Sequence, residues 1–174
     1  MANNELTGKV AIVTGAGRNI GRAIALALAE GGASIVVNAR SNRAEADAVA
    51  REIEACGGKA LVHIGDVADA AAVQAMADAA VKHFGRIDIL VNNAALRREK
   101  PFAEMSYAEW REILDVTLDG AFHCAKACLP ALRKSRRGNH RQHRRPERAY
   151  GREEPRACGD GEGRNHRLHP RAGA

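Results

Sequence analysis

Val13-Thr14-Gly15-Ala16-Gly17-Arg18-Asn19-Ile20-Gly21 links an apolar run, residues 9–14 (KVAIVT), to a segment in which Ile20, Ala23, Ile24, Ala27 and Leu28 recur at helical spacing. The run is short, rich in β-branched residues and closed by glycines, which is the pattern of a buried strand. The segment behind it stops at Gly31-Gly32, as a helix does. A strand that turns directly into a helix through glycines lets backbone N–H groups approach an anion at the helix N-terminus, because no side chain blocks the way. Gly15 and Gly21 meet that need, and Asn19 tolerates a left-handed backbone better than most residues. Taken alone, the same residues also suit a tight structural turn with no ligand.

The pattern repeats outward from this turn. Residues 34–37 (SIVV) read as a second strand and 44–56 as a second helix, stopped by Gly57-Gly58. Residues 60–64 give a third strand, 70–84 a third helix and 87–91 a fourth strand. A long helix is expected over 106–132, with Trp110, Ile113, Leu114, Leu118, Phe122 and Leu129 forming its apolar face. Short apolar strands alternating with longer helices imply parallel βαβ units, hence an α/β doubly wound sheet. There is no internal repeat.

Two further features sit where such a sheet binds ligands, at the C-terminal ends of strands. Asp66-Val67 follows the third strand and Asn92-Asn93-Ala94-Ala95 follows the fourth. With the glycine turn they resemble the short-chain dehydrogenase/reductase family: the TGxxxGxG signature with Asn19 at its middle glycine, the adenine-contacting Asp-Val, and NNAG ending in alanine. For Asp66 a helix N-cap is an equally physical role, and Asn92-Asn93 also suits a strand-ending turn. The resemblance covers residues 1 to about 132. It implies a Rossmann-type doubly wound parallel sheet, here incomplete, with about four strands and flanking helices. It also implies a nicotinamide dinucleotide cofactor held by Gly15, Arg18, Asn19, Ile20, Gly21, Arg40, Ser41, Asp66, Val67, Asn93, Ala94 and Ala95, and a homo-oligomeric state for intact relatives.

Cofactor choice is read at the end of the second strand, Val37-Asn38-Ala39-Arg40-Ser41. An acidic residue there would accept hydrogen bonds from a ribose 2′-OH and repel a 2′-phosphate, but the chain has Ala39 and then Arg40. Arg18 supplies a second cation. NADP(H) is therefore favoured over NAD(H), against the plainer reading of Arg40 as a solvated surface charge.

The catalytic part of the family pattern is absent. Family members interconvert carbonyls and alcohols with an Asn-Ser-Tyr-Lys set, in which Tyr is the acid/base, Lys lowers its pKa, Ser orients the substrate oxygen and Asn holds a relay water. Thr117 occupies the Asn place in Asp115-Val116-Thr117-Leu118-Asp119, and Tyr150 is followed four residues later by Glu154 and not Lys. No intact catalytic residue is expected, and the substrate is unreadable because its loop lies beyond the matching region. Two alternatives follow: a non-catalytic NADP-binding module, or a nucleic-acid-associated protein acting through a basic tail.

Composition separates that tail from the rest. From residue 133 onward there are 13 Lys/Arg and 5 Asp/Glu, whereas the first 132 residues hold 14 and 16, so the overall charge of +6 belongs to the tail. After Gly138 there is no Val, Ile, Phe, Met or Trp, which leaves too little apolar surface to offset chain entropy. The expected organisation is a partial Rossmann domain over 1–137 and a disordered basic tail over 138–174. The tail could bind nucleic acid by counterion release, but it lacks interleaved aromatics and any recognition motif, so specific binding is not expected. Cys124 and Cys128 lie four apart beside His123 and read as core thiols before a metal site. The cysteines form no framework, the N-terminus is polar, and no apolar run approaches ~18 residues; a reduced, cytoplasmic protein without membrane contact is expected.

The tail also has the Arg, His, Gly, Pro and Glu content of GC-rich coding sequence translated in a shifted frame. Reading one base later, Asn or His before a codon beginning with C becomes Ile or Thr, and Gln142 before His143 becomes Asn or Ser. Residues 139–145 are then compatible with I-I-V-N-I-G-G, similar to the strand that precedes the family's Tyr. Residues 157–163 are compatible with H-V-V-T-A-K-A. The shift would fall near Arg137-Gly138, making the chain a truncated form. In the restored frame the Lys survives, whereas the Tyr site, at the Cys158 codon, permits only Val or Ala. Without a neighbouring strand, Ile87, Ile89, Leu90 and Val91 would form an open apolar edge.

Overall fold

Alternation along the central strand decides which helices cover which face. In a computed structural model, which describes residues 5–139, β1 (Val10–Val13) is buried at every position. Ala11 and Val13 pack with Ile35, Val37, Ala25, Ala46, Val49 and Ile53 on one side. Ile12 packs with Val36, Val73, Met76, Ile87 and Cys124 on the other. Successive side chains of a strand point to opposite faces, so a strand buried on both requires helices on both.

Those helices are α1 (Asn19–Glu30) and α2 (Arg43–Ala55) on the first face, with α3 (Ala70–Phe84) and α5 (Gly120–Asn139) on the second. The strands β2 (Ser34–Ala39), β3 (Lys59–Ile64) and β4 (Ile89–Val91) complete a parallel sheet of order β3-β2-β1-β4. Pairing runs Val10↔Ser34 to Val13↔Val37 on one side of β1 and Ala11↔Ile89 to Val13↔Val91 on the other. The chain thus leaves β1 toward β2 and β3, then returns to the far side of β1 with β4. That reversal opens a crevice at the C-terminal ends of β1 and β4, where open α/β sheets bind ligands.

The four strands, their order and the flanking helices agree with the doubly wound fold expected from the pattern. The long helix over 106–132 requires correction. It is divided into α4 (Tyr107–Leu114), a π-turn (Asp115–Asp119) and α5, and α5 runs to Asn139, past the expected boundary at residue 137. Its expected apolar face is also not the packed one. Trp110, Leu118, Phe122 and Leu129 are exposed, and the buried positions are Val116, Gly120, Cys124 and Cys128, four residues apart. Small residues win this face because α5 lies close against the chain at Val67: a Cβ on Gly120 would stand 2.7 Å from Val67 Cγ2. Ile87, two residues before β4, is fully buried, while Ile89, Leu90 and Val91 of β4 are half-buried at the sheet edge. Among the described residues no helix is long and apolar enough to cross a membrane. The expectations about the tail fall on residues outside the described range.

Candidate functional site

The β1–α1 turn is built around two side chains. Thr14, 1% exposed, accepts at its hydroxyl from the backbone N–H groups of Asn93 and Ala94, each at 3.0 Å. Asn93 returns its side-chain amide to the carbonyls of Thr14 (2.9 Å) and Gly15 (3.2 Å). These bonds draw the loop after β4 so close to the turn that side chains do not fit. A Cβ on Gly15, whose φ is +63°, would lie 3.0 Å from the Ala94 Cα; one on Gly21 would lie 2.2 Å from the Gly15 carbonyl oxygen. Asn19, at φ +50°, is the one non-glycine residue with positive φ among the described residues. Arg18 precedes α1 in extended conformation and gives no side-chain cap, so among the described residues no N-cap side chain meets the first-turn N–H groups.

A cleft of about 710 Å³ opens over this helix end. All twelve residues expected to contact a cofactor border it, drawn from the turn, the end of β2, the Asp66-Val67 step and the loop after β4. Arg40 Nε stands 3.7 Å from Asp66 Oδ2, so the cation at the end of β2 is ion-paired and not merely solvated. Asp66 accepts from the Ala68 N–H at 3.0 Å, but the cap of α3 is Asp69, whose carboxylate accepts from Ala71 N–H at 2.8 Å. The N-cap role considered for Asp66 therefore belongs three residues later, leaving the second Asp66 oxygen toward the cleft side occupied by Arg40. Thr117 lies exposed in the π-turn, next to Val116, which borders the cleft. Chemically the arrangement fits an anionic diphosphate: an open helix N-terminus, a glycine floor that any Cβ would fill, and cations at Arg18 and Arg40.

The sequence matches the short chain dehydrogenase family over residues 9–139. The chain belongs to this family. It is 42% identical over 130 residues to a 3-oxoacyl-(acyl-carrier-protein) reductase of Staphylococcus aureus, covering 75% of this chain and 53% of that protein. An uncharacterized oxidoreductase of Methylorubrum extorquens is 44% identical over 129 residues, with 74% and 52% covered. Among solved structures, a dehydrogenase/reductase from Sinorhizobium meliloti superposes with a TM-score of 0.73 at 34% identity, covering 75% and 52%. A short chain dehydrogenase from Burkholderia cenocepacia in complex with NADP gives 0.71 at 35% identity, covering 74% and 52%. The chain spans about half the length of these relatives.

Three parts of this short-chain dehydrogenase site escaped the sequence reading. Asn38, 2% exposed, ties three strand ends together. Its amide donates to the carbonyls of His63 (3.3 Å) and Gly65 (3.0 Å), its Oδ1 accepts from Gly15 N–H at 3.4 Å, and its own carbonyl accepts from Ala16 N–H at 2.8 Å. The available signal was a lone amide in the otherwise apolar strand SIVVNA. Thr14 gave a similar signal as the polar end of an apolar run. The third part is Glu45, which borders the cleft from α2 although it lies outside every family signature.

An ion-pair network anchors the loop that carries Leu96 and Arg97 along the cleft. Arg98 pairs with Glu112, and Lys100 Nζ lies 2.9 Å from Glu109 Oε2. The Ser106 backbone N–H, then Lys100 and the Ser106 hydroxyl, pull the Glu109 carboxyl down to about 2. Cys124 and Cys128 are fully buried on α5, and burial pushes their thiols up to about 11 and about 12. Among the described residues no group of three or more His, Cys, Asp or Glu is placed to hold a metal ion.

Proposed function

We propose that the cleft binds a nicotinamide dinucleotide, NADP(H) in preference to NAD(H), and that residues 9–139 are the cofactor-binding part of a hydride-transferring oxidoreductase. The observation that carries this reading is the open N-terminus of α1 above a floor in which Gly15 and Gly21 leave no room for side chains. In this reading the first-turn N–H groups of α1 hold the diphosphate. Asp66 and Val67 flank the adenine, and the chain from Asn93 to Ala95 supports the nicotinamide half. Arg40, with Arg18 and Ser41, receives a 2′-phosphate. The NADP complex of the Burkholderia cenocepacia relative and the lack of an acidic residue at Ala39 both support the preference. A bound nicotinamide would donate or accept the hydride.

Chemistry is a separate matter from binding. The 174 residues contain no Tyr-x-x-x-Lys, and Thr117 stands at the usual Asn position. We infer that the 174-residue chain binds cofactor without turning over carbonyls or alcohols. Calorimetric titration of the full chain with NADPH and NADH, followed by turnover assays on a panel of ketones and alcohols, tests both statements. Tighter binding of NADPH with no turnover is expected. Failure to bind either dinucleotide overturns the first statement, and measurable turnover overturns the second.

A further inference from the structure

The cleft bordered by the Gly15–Gly21 turn and by Arg40 also has a carboxylate on its lining. Glu45 is half-buried in the first turn of α2 and borders the cleft. A Cβ placed on Gly17 would meet Glu45 Cβ at 3.4 Å and Glu45 Oε2 at 3.6 Å before anything else, so the carboxylate lies directly against the open side of the turn. The Glu45 backbone is fixed, because its N–H donates to the Asn42 side chain at 3.2 Å. Its carboxylate has neither a hydrogen-bond nor an ion-pair partner among the described residues. The two cations bordering the same space do not neutralise it: Arg40 is drawn to Asp66 at 3.7 Å, and the Arg18 guanidinium has no partner among the described residues.

A half-buried carboxylate without a partner is costly unless it serves something else, and a unit charge acts over several ångströms in a cleft of reduced dielectric. We propose that Glu45 is a specificity-determining residue of the cofactor cleft, opposing a 2′-phosphate on the adenosine ribose and so limiting the NADP(H) preference that Arg40 and Arg18 create. The selection is then a balance between two cations, one of them partly engaged by Asp66, and one free anion. Glu45 sits in the first turn of α2, where the helix dipole favours an acidic side chain.

This inference rests on the cleft being a dinucleotide site, so its test includes ligands for that reading. The full chain and its Glu45→Gln and Glu45→Ala variants are titrated calorimetrically with adenosine 2′,5′-bisphosphate, adenosine 5′-monophosphate, NADP⁺ and NAD⁺. Removing the charge is expected to tighten the two 2′-phosphorylated ligands about three- to tenfold and to leave the other two within about twofold. A purely structural role in the first turn of α2 would weaken all four ligands together, and that result, or an unchanged ratio, overturns the proposal. Two variants guard against a packing effect peculiar to one of them: the ratio must move in the same direction in both. If the unsubstituted chain binds none of the four, the dinucleotide reading fails and the Glu45 proposal falls with it. If it binds and the ratio stays fixed, the Glu45 proposal alone fails.

Discussion

Thr14 and Asn93, separated by 79 positions, bind each other in both directions: the Thr14 hydroxyl accepts the Asn93 backbone N–H at 3.0 Å, and the Asn93 amide donates to the Thr14 carbonyl at 2.9 Å. One hydroxyl therefore also serves the Ala94 N–H, and a methyl group in its place would leave two backbone donors unpaired. Thr14→Val is expected to lower unfolding free energy by about 2–6 kcal/mol, since each of the two buried donors left unsatisfied costs about 1–3 kcal/mol. Thr14→Ser, which retains the acceptor, should lose less than half as much. Urea unfolding followed by circular dichroism checks both, and a Thr14→Val loss no larger than that of Thr14→Ser would contradict the weight given to the two bonds on the hydroxyl.

Gly21 and Gly57 are glycines for different reasons. At Gly21 an added Cβ meets the Gly15 carbonyl oxygen at 2.2 Å and the Asn93 amide at 2.5 Å, so backbone has to move. At Gly57 the φ of +82° is strained for other residues, yet nothing lies within 4 Å of the added atom. Gly57→Ala is expected to cost about 1–2 kcal/mol of stability and to leave dinucleotide affinity unchanged. Gly21→Ala should cost at least as much and also remove measurable binding, because the displaced atoms form the floor of the cleft. Paired denaturation and calorimetry of the two variants separate these effects.

Which parts of this organisation were legible in the sequence follows from the range of the interactions involved. The strand-helix alternation and the glycine turn rest on local periodicity, and the four strands and helices α1 to α3 appear within a residue or two of the expected bounds, apart from the later start of β4. Asn38 and the Thr14–Asn93 pair act across 23 to 80 positions, and local pattern carries no record of such partners. On α5 the expectation followed the larger apolar side chains. Packing at Val67 instead selects the residues small enough to let the helix approach, Gly120 and Cys124 among them. The expected start of the third helix at residue 70 already put Asp69 directly before it, and the cap considered for Asp66 overlooked that spacing.

Asp88 fastens the start of β1 to the approach to β4. It accepts from Val10 N–H at 3.0 Å and from Arg86 Nε at 2.7 Å, with Lys9 Nζ at 3.6 Å. Burial alone would push its carboxyl up, but the Arg86 and Val10 hydrogen bonds and the charges of Arg86 and Lys9 together hold it below the ordinary aspartate value. A carboxyl depressed in the folded state stabilises the fold above its unfolded value, and the contribution fades as pH falls through the folded one. Asp88→Asn is therefore expected to cost about 1–2 kcal/mol at pH 7. The difference should shrink as pH falls below about 4. Unfolding curves for both chains between neutral and acidic pH would show it, and a difference that grows toward acid would contradict the assignment.

The three described cysteines should differ sharply in reactivity. Cys56 is exposed at the end of α2, whereas Cys124 and Cys128 are fully buried with thiols pushed up to about 11 and about 12. Since the thiolate is the reacting species, iodoacetamide at pH 7.5 should modify Cys56 in the folded protein and reach the other two only on unfolding. Peptide mapping of the alkylated chain gives the order directly. Early modification of Cys124 or Cys128 would mean that α5 lifts from Val116 and α3 on the labelling timescale.

The codons behind residues 138–174 admit a second reading frame. Residues 139–145 are compatible, one base later, with I-I-V-N-I-G-G, and residues 157–163 with H-V-V-T-A-K-A; both fall in the order in which the family places its next strand and its catalytic Lys. We propose a change of frame near Arg137-Gly138. If it is present, resequencing across the codons for residues 134–139 will find the displaced base, and the intact mass of the native product will exceed that calculated for the 174 residues. The restored chain would carry Lys or Arg at the Glu162 codon but only Val or Ala at the Cys158 codon, so cofactor binding should persist while the usual Tyr acid/base is still missing. If instead the gene and the mass agree with the 174 residues, the frame reading is wrong. Cofactor binding by residues 9–139 then has to be measured against the stability of a sheet whose edge strand, β4, presents half-buried Ile89, Leu90 and Val91.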